Sequence, residues 1–316
     1  MRILLLGHSG YLGTHVANAL RAHPRVRVLR GGRHGCVRDA GGALTDGPQP
    51  EVALRADLAT ADPEDLAVRL RRLAPDAVIN CAGAVGGSAA ALVSTNARGP
   101  AVLCEALRTA APRARLVHLG SAAEYGPGLA GQPCAESDPA CPASVYGAAK
   151  LAGTLAVTSS GLDAVVLRVF NPVGPGAPAT SLPGRLAAEM RRAGAEGTVR
   201  VGDLSAHRDF VDVRDVARAV VLAVLSSGSL PGVLNIGSGA ARPVRTVAEG
   251  LARAGEFRGR FDERGGRSQR SAMLSWQQAD IRAADRVLDW RPRHGLKTSL
   301  TDLWAATAAQ QREPAL

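Results

Sequence analysis

The 316-residue sequence predicts an α/β fold: a doubly wound parallel sheet followed by a smaller, mixed C-terminal domain. Three observations predict it. Short runs rich in leucine, valine and isoleucine alternate with longer helical patterns through the first half of the chain. A glycine-spaced turn follows the first of those runs directly, and the regular alternation loosens after about residue 170. Strand–helix–strand repetition with short loops makes parallel strands, because right-handed crossovers lay helices on both faces of the sheet.

The elements follow in order. Strands are expected near 2–6 (RILLL), 25–30, 52–56, 76–81 (DAVINC), 114–120 (ARLVHLG) and 163–169 (DAVVLRV), with helices near 11–22, 63–73, 88–111 and 144–158 between them. The Gly/Arg-rich stretch 31–50 reads as a loop. Beyond it all, NPVGPGAPATSLPG precedes another helix, and then RDFVDV and VLNIG read as strands flanking a helix over 214–226. The last seventy residues add a short helix, a strand and WRPRHGLKTSL. The expected division is a dinucleotide-binding domain over 1–169, to which 210–236 returns, and a substrate-binding domain over 170–316. The second would close over the strand ends, where open α/β sheets bind ligands.

Composition narrows the function. Apolar residues make up 46%, enough for a sizeable core. The five cysteines form no CxxC pair, which fits neither a disulfide framework nor a structural zinc site, so a reducing, cytoplasmic setting and no metal are expected. The start, MRILLLGHSG, is too short in apolar residues for a signal-peptide core, and no run approaches the roughly 18 that a membrane helix needs. The net charge of +10 permits nucleic-acid binding, but the arginines are scattered and aromatics are only 3%, too sparse for a stacking platform. A small polyanionic ligand suits that charge better.

In GHSGYLGTH, Gly7, Gly10 and Gly13 recur every third residue as a helix opens. Glycine is needed where the chain turns tightly and a pyrophosphate must approach the backbone, and the helix N-terminus supplies unpaired N–H groups. Asp57 in RADL could accept a hydrogen bond from an adenine amino group, and NCAG at 80–83 would bring backbone close to the cofactor; either is equally an ordinary strand end.

Tyr146 stands in YGAAK, four residues before Lys150. Positions i and i+4 share a helix face, so the ammonium lies beside the phenol. Moving a phenol from about 10 to about 7 takes roughly 4 kcal/mol of differential stabilisation of its anion; a neighbouring cation is the right source. Of the 38 basic residues only Lys150 and Lys297 are lysine, so a lysine at this position is informative. Ser121, in HLGSAAEYG at the end of the fifth strand, is placed to hydrogen-bond the same substrate oxygen.

With these residues the chain resembles the extended short-chain dehydrogenase/reductase family, the Rossmann-like NAD(P)-dependent sugar-nucleotide epimerases, dehydratases and reductases. The likeness spans nearly the whole chain. It implies a catalytic triad of Ser121, Tyr146 and Lys150, and a cofactor site including Gly7, Gly10, Tyr11, Leu12, Gly13, Asp57, Leu58, Cys81, Ala82, Gly83, Asn96 and Val169 along with the triad's Tyr146 and Lys150. RVFNPVGPG and VGDLSAHRDFVDVRDVARA resemble the substrate segments, putting Asn171 and Arg208 at the substrate diphosphate, with Arg270 as a second phosphate arginine although the usual RP reads RS. Arginine offers a diphosphate a bidentate fork. The family's dehydratases follow the serine with an Asp-Glu pair, whereas here stand Ala122 and Ala123. GSAAEYG and the 201–219 segment look most like reductases of nucleotide-linked (dTDP or GDP) 4-keto-6-deoxyhexoses, including the deoxysugar 4-ketoreductases of antibiotic pathways. A homodimer through helices 88–111 and 144–158 is implied as well. An NDP-sugar epimerase and a ketoreductase of a non-sugar substrate remain alternatives.

The second strand ends VLRGGRHG. NAD sites commonly put an acid there for the ribose 2′-OH, and NADP sites an arginine. No acid follows before Asp39, and Arg30 and Arg33 face the 2′ position, so NADPH is the expected cofactor and NAD the less favoured.

Overall fold

The computed structural model describes residues 1–33, 52–264 and 275–312. Its main sheet is built from β1 (Arg2–Leu6), β2 (Arg27–Gly32), β3 (Leu54–Arg55), β4 (Ala77–Asn80), β5 (Arg115–Ser121) and β6 (Ala164–Val169), joined by a seventh strand from later in the chain, Val233–Ile236. Helices α1 (Tyr11–Arg21), α2 (Pro63–Leu73), α3 (Ala89–Val93), α4 (Gly99–Ala110) and α5 (Val145–Thr158) connect them. All seven strands run parallel; from one edge the order is Val233–Ile236, β6, β5, β4, β1, β2, β3. The sheet is doubly wound about β1 and β4, so the crevice between them lies at the topological switch point.

The strands are apolar on both sides because both sides are covered. On one face Ile3, Leu5, Ile79 and Val117 pack against Val16 and Leu20 of α1. On the other, Leu4, Leu6, Val78 and Leu116 meet Leu66 and Leu70 of α2 and Leu103 and Leu107 of α4.

The single helix expected over 88–111 is interrupted. Residues Ser94–Arg98 form a π-helical turn between α3 and α4. Pro100 has no N–H with which to answer the Asn96 carbonyl, and the widened turn is the result. The third strand is also shorter than expected, two residues in place of 52–56.

Beyond β6 come β7 (Asn171–Val173), α6 (Leu182–Ala193), β8 (Thr198–Arg200), β9 (His207–Asp212), α7 (Val213–Leu225), β10 (Val233–Ile236, the seventh main-sheet strand), β11 (Ala241–Pro243), α8 (Val244–Ala254), β12 (Arg260–Asp262), α9 (Arg282–Leu288) and α10 (Leu296–Arg312). Of the segment 210–236 expected to return, α7 and β10 cover and extend the main sheet, but 210–212 stay in β9, which pairs with β7 and β11 in a three-stranded sheet. The tail reaches the main core too: Ala284, Leu288 and the fully buried Trp290 pack with α7, and the Trp290 indole donates to the Asp215 carbonyl. A third cluster joins α6, α8 and α10 over the small sheets. Among the described residues no helix is long and apolar enough to cross a membrane.

Candidate active site

The glycine turn is dictated by contacts that no side chain could share. Gly7 has φ +73°, and a Cβ there would lie 2.7 Å from the Ala82 nitrogen. A Cβ on Gly13 would lie 2.0 Å from the Gly7 oxygen, so the start of α1 presses directly on the end of β1. Gly10 caps α1 with no side-chain bond, and the first turn holds no acid. The helix therefore presents bare N–H groups and its positive pole at the switch point, the arrangement that takes a pyrophosphate. Leu12 lies half-buried within this first turn.

At the end of β2, Arg30 is half-buried, with a buried Nη1 lacking a partner among the described residues. Burial, then the charge of Arg21, lowers its pKa from the ordinary value. Arg33 is exposed, 4.0 Å from the Asp57 carboxylate, which also accepts from the Ala59 N–H. So Arg33 and Asp57 meet just beyond the ends of β2 and β3, Arg30 lies near the end of β2, and Leu58 after Asp57 is buried. Also here is a residue that sequence reasoning passed over: His8, inside the glycine turn, buried, with Nδ1 3.0 Å from the Gly31 oxygen. Its only sequence signal is a bulky, titratable side chain in a motif of small residues.

Ser121 ends β5, and Tyr146 and Lys150 lie on the first turns of α5, which Ser144 caps by accepting from the Gly147 N–H. Lys150 is buried and donates to the Leu119 carbonyl at 2.9 Å. Gly83 approaches so closely that an added Cβ would lie 3.2 Å from both Lys150 Nζ and Asn96 Oδ1. Asn96, in the π-helical turn, uses its amide on the loop itself, donating to the Ala84 carbonyl and accepting from the Ala84 N–H. Cys81, Ala82 and Gly83 thus form a floor between the glycine turn and Lys150. Burial pushes the Cys81 thiol up to about 12, which keeps it an inert packing residue. Val169, at the end of β6, pairs with Ser121.

A second missed group frames the triad. Glu124 is fully buried; one carboxylate oxygen accepts from the Ser121 N–H at 2.7 Å, and the other accepts from Thr154 of α5 and Arg168 of β6, both at 2.8 Å. Burial lowers the Arg168 guanidinium, but Glu124 and Tyr125 together outweigh it and the net shift is upward. From the far side, Gln277 donates to the Ala122 carbonyl.

On the substrate side, β7 and β9 bring Asn171 and Arg208 into one small sheet. The Asn171 amide donates to the Asp209 carbonyl, and the buried Arg208 donates to the His207 carbonyl, its pKa lowered by burial. The Tyr11 hydroxyl donates to the Gly174 carbonyl and His15 bonds the Pro175 carbonyl, tying α1 to the loop after β7. Arg270 and residues 34–50 of the expected loop lie outside the described residues.

A doubly wound sheet with a bare glycine-cradled helix end at its switch point, and a serine, tyrosine and lysine along one wall, defines an NAD(P)-dependent enzyme that works on a carbinol or carbonyl. Residues 3–237 match the NAD dependent epimerase/dehydratase family. The chain belongs to that family, among the extended short-chain dehydrogenase/reductase enzymes that modify nucleotide sugars. It is 34% identical, over 96% of this chain and 95% of the relative, to a dTDP-6-deoxy-L-talose 4-dehydrogenase (NAD(P)(+)) of Kitasatospora kifunensis. It is 27% identical, over 99% of each chain, to a GDP-6-deoxy-D-mannose reductase of Pseudomonas aeruginosa. Among solved structures it is similar to MoeE5 in complex with UDP-glucuronic acid and NAD, with TM-score 0.81 and 27% identity over 98% of this chain and all of that one.

Proposed function

We propose that this protein is an NADPH-dependent reductase of the 4-keto group of a nucleotide-linked (dTDP or GDP) 4-keto-6-deoxyhexose, serving deoxysugar and antibiotic biosynthesis as a cytoplasmic homodimer. The observation that carries the reading is the pair Ala122 and Ala123 beside Ser121, Tyr146 and Lys150. Proton transfer to a carbinol oxygen is provided for, while elimination is not, because the carboxylate that follows the two alanines, Glu124, is buried and committed to Arg168. The talose relative's printed activity, oxidation at C4, is the reverse of the same exchange.

The residues present fit the cofactor: a bare helix end, glycines whose Cβ atoms would fill the cradle, and an unpartnered buried Arg30 nitrogen. When bound, NADPH supplies the hydride. Tyr146 protonates the carbonyl oxygen, Ser121 polarises and orients it, and Lys150 tunes Tyr146 and anchors the nicotinamide ribose. Asn171, Arg208 and Arg270 hold the diphosphate, and Arg30 with Arg33 takes the 2′-phosphate. The exposed Val93 on α3, and Val145 and Leu155 on α5, suit a dimer through these helices.

The test is to mix enzyme, NADPH and dTDP- or GDP-4-keto-6-deoxyhexose and follow nicotinamide absorbance. Stoichiometric loss is expected, and Tyr146→Phe abolishes it while leaving the cofactor dissociation constant within about threefold, since one neutral hydroxyl is removed. Epimerisation with tightly held NAD and no net loss of NADPH would instead establish the epimerase.

A further inference from the structure

We propose that His8 reads the 2′ position of the adenosine ribose, accepting from a 2′-hydroxyl when neutral and donating to a 2′-phosphate when protonated. This rests on the reading that places the cofactor's adenosine end beside the end of β2.

The tautomer is set by the backbone. A carbonyl oxygen only accepts, so the 3.0 Å contact between Nδ1 and the Gly31 oxygen requires the hydrogen on Nδ1. That leaves Nε2 as an acceptor, and it is buried without a hydrogen-bond partner among the described residues. An unsatisfied buried nitrogen is costly, and such groups persist where a ligand completes them. The ring's place is equally defined. The Gly31 oxygen also accepts from the Gly7 N–H, so His8 sits at the junction of the turn and β2, and a Cβ on Gly32 would come within 3.4 Å of Nδ1. This junction is where dinucleotide-binding folds read the ribose.

The charged groups around the junction are Arg30 and Arg33 on and after β2, Arg21 at the end of α1, and Asp57 after β3, which lies 4.0 Å from Arg33. A 2′-phosphate dianion brought beside Nε2 would favour the imidazolium, and a neutral 2′-hydroxyl would not. Binding of a 2′-phosphate therefore takes up a proton at His8, and binding of a 2′-hydroxyl does not. One side chain then serves both cofactor forms, with acid favouring the phosphorylated one.

The full-length protein, free of cofactor, is titrated calorimetrically with adenosine 2′,5′-bisphosphate and with ADP at about pH 8 and about pH 6.5, spanning the imidazole range; phosphate monoesters remain largely dianionic there. The native protein is expected to bind the bisphosphate more tightly than ADP, and several-fold more tightly still at the lower pH, while ADP changes little. His8→Asn keeps a donor for the Gly31 oxygen but has no Nε2. It should lose the pH response and about tenfold in bisphosphate affinity, the worth of one charge-assisted hydrogen bond. Retention of both in His8→Asn overturns the proposal. Should that variant not fold, as judged by circular dichroism, His8→Gln, which cannot be protonated, must lose the pH response, and its persistence is equally fatal. A native protein with no preference for the bisphosphate overturns the NADPH reading instead. His8 is then decided by ADP: weaker binding to His8→Asn supports the assignment, and unchanged binding ends it.

Discussion

Glu124 shows how much one buried side chain can organise. Its two oxygens reach three elements at once: the backbone of Ser121 at the end of β5, Thr154 on the helix that carries Tyr146 and Lys150, and Arg168 on β6. Arg168 also lies over the Tyr125 ring at 4.5 Å, and the Tyr125 hydroxyl, pushed up to about 12 by burial, donates to Asn235. A buried ion pair contributes little net stability against an apolar replacement, but removing one partner strands the other charge, at about 3–5 kcal/mol. Glu124→Ala is accordingly expected to lose roughly that much in denaturant unfolding, with kcat falling more than KM changes, because Ser121 loses the acceptor for its N–H. A loss under about 1 kcal/mol would show that the pair is not the frame described.

At the scale of elements, the triad's geometry depends on how α5 seats against the π-helical turn. A Cβ on Gly153 would lie 2.2 Å from the Asn96 carbonyl oxygen in that turn. Gly153→Ala must push α5 outward, and Lys150, one turn earlier, moves with it. Displacements near 1 Å cost on the order of 10²-fold in rate, so kcat should drop at least about tenfold, whereas Gly228→Ala, with open space around its Cβ, leaves it unchanged. An unaltered kcat in Gly153→Ala would count against the tight seat. The turn at Gly7–Gly13, the parallel sheet and the placing of Tyr146 and Lys150 on one helix were legible in the sequence because each rests on local spacing. The π-turn, the Glu124–Arg168 pair and the departure of β9 into a separate sheet were not. The ion pair joins residues 44 positions apart and β9 hangs on which neighbours a strand finds, which no local pattern encodes, whereas the π-turn had a local mark, Pro100, that the helical periodicity of 88–111 overrode. His8 was hidden differently: the motif drew the eye to its glycines, and only the end of β2 reveals what the imidazole meets.

For the molecule as a whole, the response of stability to pH is written in the interior of the main sheet. His118, in the middle of β5 and paired with Asn80 and Val166 on its neighbours, is buried with no hydrogen-bond partner for either ring nitrogen among the described residues. Burial first, and then the charge of Lys150, lowers its pKa to about 3. An unfolded histidine titrates near 6.5, so between these values the unfolded chain binds a proton that the folded one refuses, and stability is lost as pH falls from about 6.5 toward 3. The loss amounts to about 5 kcal/mol at full extent. Asp212 differs, because its depressed pKa withdraws stability only as pH falls below the ordinary aspartate value and its carboxylate protonates. Asp209, raised by burial, works with the opposite sign, because the folded state gains its proton first as pH falls. His15, lowered by burial, adds a slope of the same sign as His118. Replacing an unpartnered imidazole by a similar apolar group costs little, so His118→Leu should hold its stability near pH 7 within about 1 kcal/mol. Urea unfolding of the two proteins at several values between about pH 7 and about pH 4.5 should then show a shallower decline for the variant, with the remainder owed to His15. Parallel declines in both would mean that His118 charges without cost where it lies, and that the acid sensitivity of the fold has another source.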